Sequence, residues 1–342
     1  MGADACIPLV VVGHGVTGMT LPKIRQSLAR LRYHIRRQRW IAWCVYMVPN
    51  LMWAVVDPFL RNRNDQASER NAAPMGKLAL CLRFRDEARY LEEWIEYYKA
   101  AGVDHFFLYN NYSSDNYLSV IEPYRAEGSI TLIDWPRTPA SPAAENDCIR
   151  RTRGRFDWVG FIDADEFVVI HNGLSIADFL DGYPCAPAVA LHWYYFGSSG
   201  HEQRPRDWVI RAYRLRASCP NQHFKVFVRP DQVTRNRNSH NFYYHRARCA
   251  VREDRRSVIG SMDPVGIADK AWINHYFFKS LEDYLEKASR HSTLDKSGMQ
   301  EPSRRLEFAK KEMIKANDVI DFSAITYFEM RQAAQKFQSA LR

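Results

Sequence analysis

Asp157–Phe167 reads DWVGFIDADEF, an apolar run that ends in Asp163-Ala164-Asp165-Glu166 and resumes at once as Phe167-Val168-Val169. A solvated turn rarely sits between two buried runs, so the acids mark the end of a buried strand. Side chains alternate along a strand, and Asp163 and Asp165 therefore project to the same side. Upstream, KLALCLRF (77–84) has strand character. Asp86 is expected to cap the helix in ARYLEEWIEYYKAAG, where Leu91, Trp94, Ile95 and Tyr98 recur at helical spacing and Gly102 ends it. VDHFFLYN, the turn NYSSDN, the helix YLSVIEPYRAEG, the strand SITLIDW and a crossover helix over 143–154 complete the run. This alternation predicts an α/β fold with a mostly parallel, Rossmann-like central sheet and flanking helices, and ligands at the carboxyl ends of its strands.

Those ends carry Arg83 to Glu87, Tyr109 to Asp115 and Asp163 to Glu166, with no G-x-G-x-x-G and no phosphate loop beside them. Clustered carboxylates require a counter-charge, and a hard divalent cation with oxygen ligands supplies it. Such a cation also accepts a diphosphate as a further ligand and assists its departure.

The stretch from CLRFRDEARYLEEWIEYYKAAGVDHFFLYNNYSSDN (Cys81–Asn116) through DWVGFIDADEF resembles the metal-dependent GT-A glycosyltransferases of the family 92 group, relatives of the family 2 transferases. HWYYFGSSGH (His192–His201), FKVFVRPDQV (Phe224–Val233) followed by Ser239-His240, and INHYFFKSLEDYLEK (Ile273–Lys287) follow in the order of that family, so the likeness covers 77–290. The resemblance implies a GT-A fold and an inverting transfer of a hexose from a UDP-sugar to a glycan or glycolipid. It implies that Asp163 meets the donor ribose and Asp165 ligates Mn²⁺ or Mg²⁺, with His240 or His275 completing the metal shell or holding the diphosphate. Arg83, Asn110, Asn111, Asp115 and Lys225 would line the nucleotide site, Asn111 standing where family 2 enzymes place an acid. His201, Glu202 and Asp207, in the acceptor-side loop, are the candidates for the general base. Trp193 and Tyr194 are the aromatic residues best placed to serve as a sugar platform.

The 342 residues carry a net charge of +9, but residues 1–76 hold ten basic and only four acidic side chains. The excess therefore sits beside an apolar segment and not on the body, which argues against a nucleic-acid-binding protein. LPKIRQSLARLRYHIRRQR (21–39) is a basic amphipathic helix, and WIAWCVYMVPNLMWAVV (40–56) is uncharged, contains Pro49 and is short for a straight span. Residues 1–60 are thus expected to form a membrane anchor, on the cytosolic face by default with a Golgi-lumen orientation as the other option, or a hairpin packed on the body. Met19 is a second candidate start. Residues 61–76 read as a linker, 77–290 as the catalytic domain and 291–342 as a helical extension. Seven dispersed cysteines without C-x-x-C speak against a zinc ribbon or a disulfide framework and suit a reducing compartment. The rival enzyme class, metal-dependent nucleotidyl or phosphoryl transfer, would require a lysine- or glycine-rich phosphate loop, and none is seen.

Overall fold

The computed structural model describes residue 52 and residues 73–138, 141–238, 240–290 and 302–341. The expected N-terminal segment, Met52 apart, most of the linker and residues 291–301 lie outside the described residues. Among the described residues no helix is long and apolar enough to cross a membrane.

Strand β1 (Gly76–Phe84) places Leu78, Leu80, Leu82 and Phe84 on one face and Ala79 and Cys81 on the other, all buried. Both faces are covered, as a near-continuous apolar run requires. Helix α1 (Ala88–Ala100) lays Leu91, Trp94, Ile95 and Tyr98 on the first face. It stops at Gly102, whose φ of +91° is free of penalty only for glycine. Its start departs from the sequence expectation. Asp86 adopts φ +53° and accepts from Ser114 N–H, and Asp115 Oδ2 takes the Ala88 N–H at 2.7 Å. The cap comes from the turn after the next strand, because the β1 exit bends away before the helix begins.

The crossovers continue through β2 (His105–Asn110), α2 (Tyr117–Ala126), β3 (Ile130–Asp134), α3 (Ala143–Thr152) and β4 (Phe156–Phe161), and the strands β1 to β4 pair in parallel. Helix α3 covers the second face, over Cys81, Tyr109 and Phe161. After β5 (Glu166–Ile170) and α4 (Ile176–Asp181), β6 (Ala188–Tyr195) leads to the short α5 (Val209–Ala212) and β7 (Leu215–Arg216). Strand β8 (Phe224–Val228) then inserts between β4 and β6, antiparallel to both. A Cβ on Gly160 of β4 would run into Phe227 of β8 and Leu80 of β1, so glycine is what permits this close approach.

The hairpin β9 (Val233–Asn238) with β10 (Asn241–Tyr244) precedes β11 (Ala250–Arg252) and β12 (Ser257–Val258), which extend the sheet. The main sheet thus runs β12-β11-β6-β8-β4-β1-β2-β3. Strand β13 (Ala271–His275) pairs antiparallel with β5 and parallel with the end of β6.

Helix α6 (Leu281–Arg290), α7 (Pro302–Lys315), β14 (Val319–Ile320) and α8 (Ser323–Ala340) complete the described chain. The described part of the expected C-terminal helical extension packs against the domain. Strand β14 pairs with β7, Phe328 of α8 stacks on Tyr97 of α1 at 5.8 Å, and Arg331 donates to the Ala100 carbonyl at the end of α1. Tyr97 presents the α1 face on which Tyr327 and Phe328 of α8 pack.

Candidate active site

Strand direction assembles the site. Strands β1, β2 and β4 end at the edge where the antiparallel β8 begins, so Lys225, second in β8, arrives beside Asp163. Lys225 is 2% exposed, and its ammonium donates to Asp163 Oδ2 at 2.7 Å and lies 3.6 Å from Glu166 Oε2. Glu166 is fully buried, and its Oε2 also accepts the Asp163 N–H, which closes the Asp163–Glu166 turn. Trp94 Nε1–H donates to the Asp163 carbonyl, and Tyr276 N–H donates to that of Asp165. The register of β13 places His275 opposite both Glu166 and Tyr195. From α6, Lys287 reaches back to donate to Asp165 Oδ2 at 2.7 Å.

Burial works to raise the Asp163 carboxyl, but the charge and hydrogen bond of Lys225 together with the Arg83 charge bring it below the ordinary value. Burial acts likewise on Asp165, where Lys287, His275 and Lys279 together hold the group well below the usual range. Glu166 goes the other way, pushed well up by burial despite Lys225. Burial lowers His275, against the pull of Asp165, which favours the neutral imidazole with one ring nitrogen able to accept. Its Nε2 lies 3.6 Å from Asp165 Oδ1, beyond a hydrogen bond, and Nδ1 is a buried atom without a partner. Two atoms that ligate one small cation at right angles stand about 3 Å apart at bond lengths near 2.1 Å. At 3.6 Å, Asp165 and His275 stand wider than this and are the pair that would share a divalent cation after a small closure, with the half-exposed Asp163 beside them and Lys287 on the second Asp165 oxygen. Among the described residues no group of three or more acids, cysteines and histidines stands at metal-binding spacing.

His240 does not join this pair. Its Nδ1 is 2.9 Å from the Phe224 carbonyl, and burial with the nearby Lys225 charge lowers its pKa to about 4. Trp193 explains why the histidines cluster, since His223, His240 and His275 all pack on it at ring distances of 5.4, 5.3 and 4.5 Å. Trp193 is thus a buried pillar and not the sugar platform expected, and the Tyr194 ring is covered by the Arg216 guanidinium at 3.8 Å.

On the nucleotide side, Arg83 is exposed at the β1 exit, with the buried Glu145 of α3 within reach of its charge. Asn110 ties the β2 turn together through Tyr117, Asp134 and Ser113. Asn111 donates to the Trp135 and Arg137 carbonyls, so its amide nitrogen is engaged and its oxygen remains for a ligand. Asp115 serves as the α1 cap described above.

Of the base candidates, His201 Nε2 is 3.2 Å from the Ala212 carbonyl and its ring abuts Tyr213. Glu202 is exposed, and Asp207, also exposed, caps Trp208 N–H. The carbonyls of His201 and Glu202 accept the first N–H groups of α6, so the acceptor loop and α6 form one unit. Two lysines carry no role in the sequence reading, Lys279 and Lys287, although both lie in the quoted INHYFFKSLEDYLEK block.

The family model for glycosyltransferase family 92 matches residues 77–293. The chain belongs to glycosyltransferase family 92. A family 92 protein of Ricinus communis is 29% identical over 221 residues, covering 63% of this chain and 38% of its own length. One from Oryza sativa is 32% identical over 160 residues, covering 46% of this chain and 27% of its own. The chain thus spans well under half the length of these curated family 92 relatives. Among solved structures, Staphylococcus aureus TarS 1-349 is similar at TM-score 0.36 and 10% identity, over 76% of this chain and 91% of that one. The Pyrobaculum calidifontis mannosyltransferase PcManGT with GDP-Man and Mn2+ gives 0.35 and 13%, over 90% and 86%. These structural likenesses are too distant to bear on the chemistry of the family 92 site.

Proposed function

We propose that this family 92 chain is an inverting hexosyltransferase that moves a sugar, galactose foremost, from a UDP-hexose to a hydroxyl of a glycan or glycolipid. The observation that carries the reading is the Asp163-Ala164-Asp165 turn at the strand mouth, its acids held ionised by lysines in a family 92 domain. Asp165 and His275, with Asp163, are the residues that would hold Mn²⁺ or Mg²⁺. Held there, such a cation would supply positive charge to offset the charge that develops on the diphosphate as the sugar leaves.

The chain's own residues do the rest. Arg83 and Asn111 orient the nucleoside, and Lys225 fixes Asp163 for the ribose. The acceptor oxygen bonds to the anomeric carbon from the face opposite the breaking carbon–oxygen bond, whose electron pair leaves with the nucleoside diphosphate. The acceptor's proton passes to a base in the acceptor loop, where Glu202 and Asp207 are the solvent-facing carboxylates.

The test is a thermal-shift and turnover panel of UDP-, GDP- and CMP-sugars with and without Mn²⁺, since a ligand that binds only the native state raises stability by RT ln(1 + [L]/Kd). UDP-sugars should give the largest shift, and chelation should remove it. A metal-independent shift, or a preference for CMP-sugars, overturns the assignment of Asp163 and Asp165.

A further inference from the structure

Lys279 follows β13 and immediately precedes Ser280, the residue that caps α6. It is 4% exposed, and its backbone has φ +51°, a conformation that costs any residue other than glycine. The ammonium lies over the Tyr90 ring, 4.3 Å from its centroid. Lys225 and Lys287 each donate to a carboxylate at 2.7 Å, whereas among the described residues the Lys279 ammonium makes no ion pair and no hydrogen bond. The face of an aromatic ring positions a cation without neutralising it. Lys279 is therefore a held positive charge at the strand mouth, close enough to help keep Asp165 ionised against the burial that opposes it, together with Lys287 and His275.

We propose that Lys279 binds the diphosphate of the nucleotide donor, its ammonium donating to the phosphate oxygens that leave with the nucleoside. The inference rests on the glycosyltransferase reading above and adds to it a residue for the leaving group. When the bond to the anomeric carbon breaks, its electron pair stays on the phosphate oxygen, and the diphosphate gains negative charge beside a cation that need not reorganise. Tyr90 sets the position of that cation from α1, and Asp165, Asp283 and Glu93 all feel its charge.

Calorimetric titration of the full chain with UDP, UMP and uridine at constant excess Mg²⁺ tests the proposal in wild type, Lys279→Gln, Lys279→Met and Lys279→Arg. Losing a charge-assisted bond to a phosphate should weaken UDP about tenfold or more in the Gln and Met variants and leave uridine within about twofold, with Lys279→Arg recovering most of the loss. If the Gln variant loses uridine as well, its fold has failed, and the Met variant, which keeps the stem volume, decides. Equal UDP affinity in wild type and in a variant that still binds uridine overturns the role of Lys279 and leaves the donor reading standing. A wild-type chain that binds no uridine nucleotide refutes the donor reading and this role together.

Discussion

Asp165 accepts from one lysine and faces a neutral histidine, and a single oxygen separates those two environments. Asp165→Asn keeps the volume and removes the charge, so on the proposed chemistry transfer should fall by about a hundredfold or more, roughly 2.7 kcal/mol of barrier. The same change leaves Lys287 without its carboxylate and should lower thermal stability measurably, which a melting curve separates from the activity loss. Activity of the Asn variant equal to wild type in chelator-buffered Mn²⁺ would sink the metal role. Asp115 offers a structural counterpart, because its Oδ2 alone caps Ala88 N–H. Asp115→Ala should cost about 1 kcal/mol in denaturant unfolding, whereas Asp86→Ala should leave the α1 cap intact. The sequence pointed to Asp86, since caps are sought next to the helix; the true acceptor lies 27 residues away in sequence, and only the β1–β2 pairing brings it there.

At the scale of elements, the strands and helices from 76 to 161 were legible because each is fixed by local periodicity and a turn residue. Strand β8 was not. Its insertion between β4 and β6 against the direction of β4 depends on long-range pairings to both neighbours, Gly160 with Phe227 on one side and Ala188 with Val228 on the other, and that reversal is what delivers Lys225 to Asp163. Lys287 reaches Asp165 across 122 residues, beyond any local pattern. Helix α6 carries this lysine, and its seat is a buried polar cluster. Ser280 and Asp283 cap each other reciprocally, and Tyr90 and Arg204 both donate to Asp283. Burial works to raise the Asp283 carboxyl, but its bonds from Ser280, Tyr90 and Arg204 bring it below the ordinary value. A carboxyl lower in the folded than in the unfolded state adds stability above its unfolded pKa, and this is lost as pH falls through the folded value. Wild type should therefore lose stability relative to Asp283→Asn on acidification below about pH 4. Melting temperatures of the pair across that range test the point, and parallel curves would show that ionised Asp283 gains nothing from its partners.

In the described body the chemistry lies at the carboxyl ends of the sheet strands, and the helix α8 braces α1 and β5. Phe328 is 3% exposed and packs between Tyr97 and Trp208. Phe328→Ala should cost about 3–5 kcal/mol and loosen α1 together with α8; a loss under about 1 kcal/mol in chemical denaturation would show that α8 is an appendage after all.

Beyond the described body lie the seven basic residues between 21 and 39 and the tryptophans Trp40, Trp43 and Trp53. Each basic side chain near an anionic surface contributes about 1 kcal/mol, and the aromatic residues seek the headgroup region. We propose that this segment holds the enzyme to a membrane, where a glycolipid acceptor would be at hand. The full chain should then sediment with phosphatidylserine-containing vesicles far more than with neutral ones. Added salt should weaken that binding without abolishing it, because screening removes the arginine contribution and leaves the apolar one. Replacing Lys23, Arg25, Arg30, Arg32, Arg36, Arg37 and Arg39 together by Gln should bring anionic vesicles down to the neutral level. A full chain that stays in the supernatant with both vesicle types at moderate salt would show that the tryptophans are already covered by protein, as in a hairpin packed on the catalytic body.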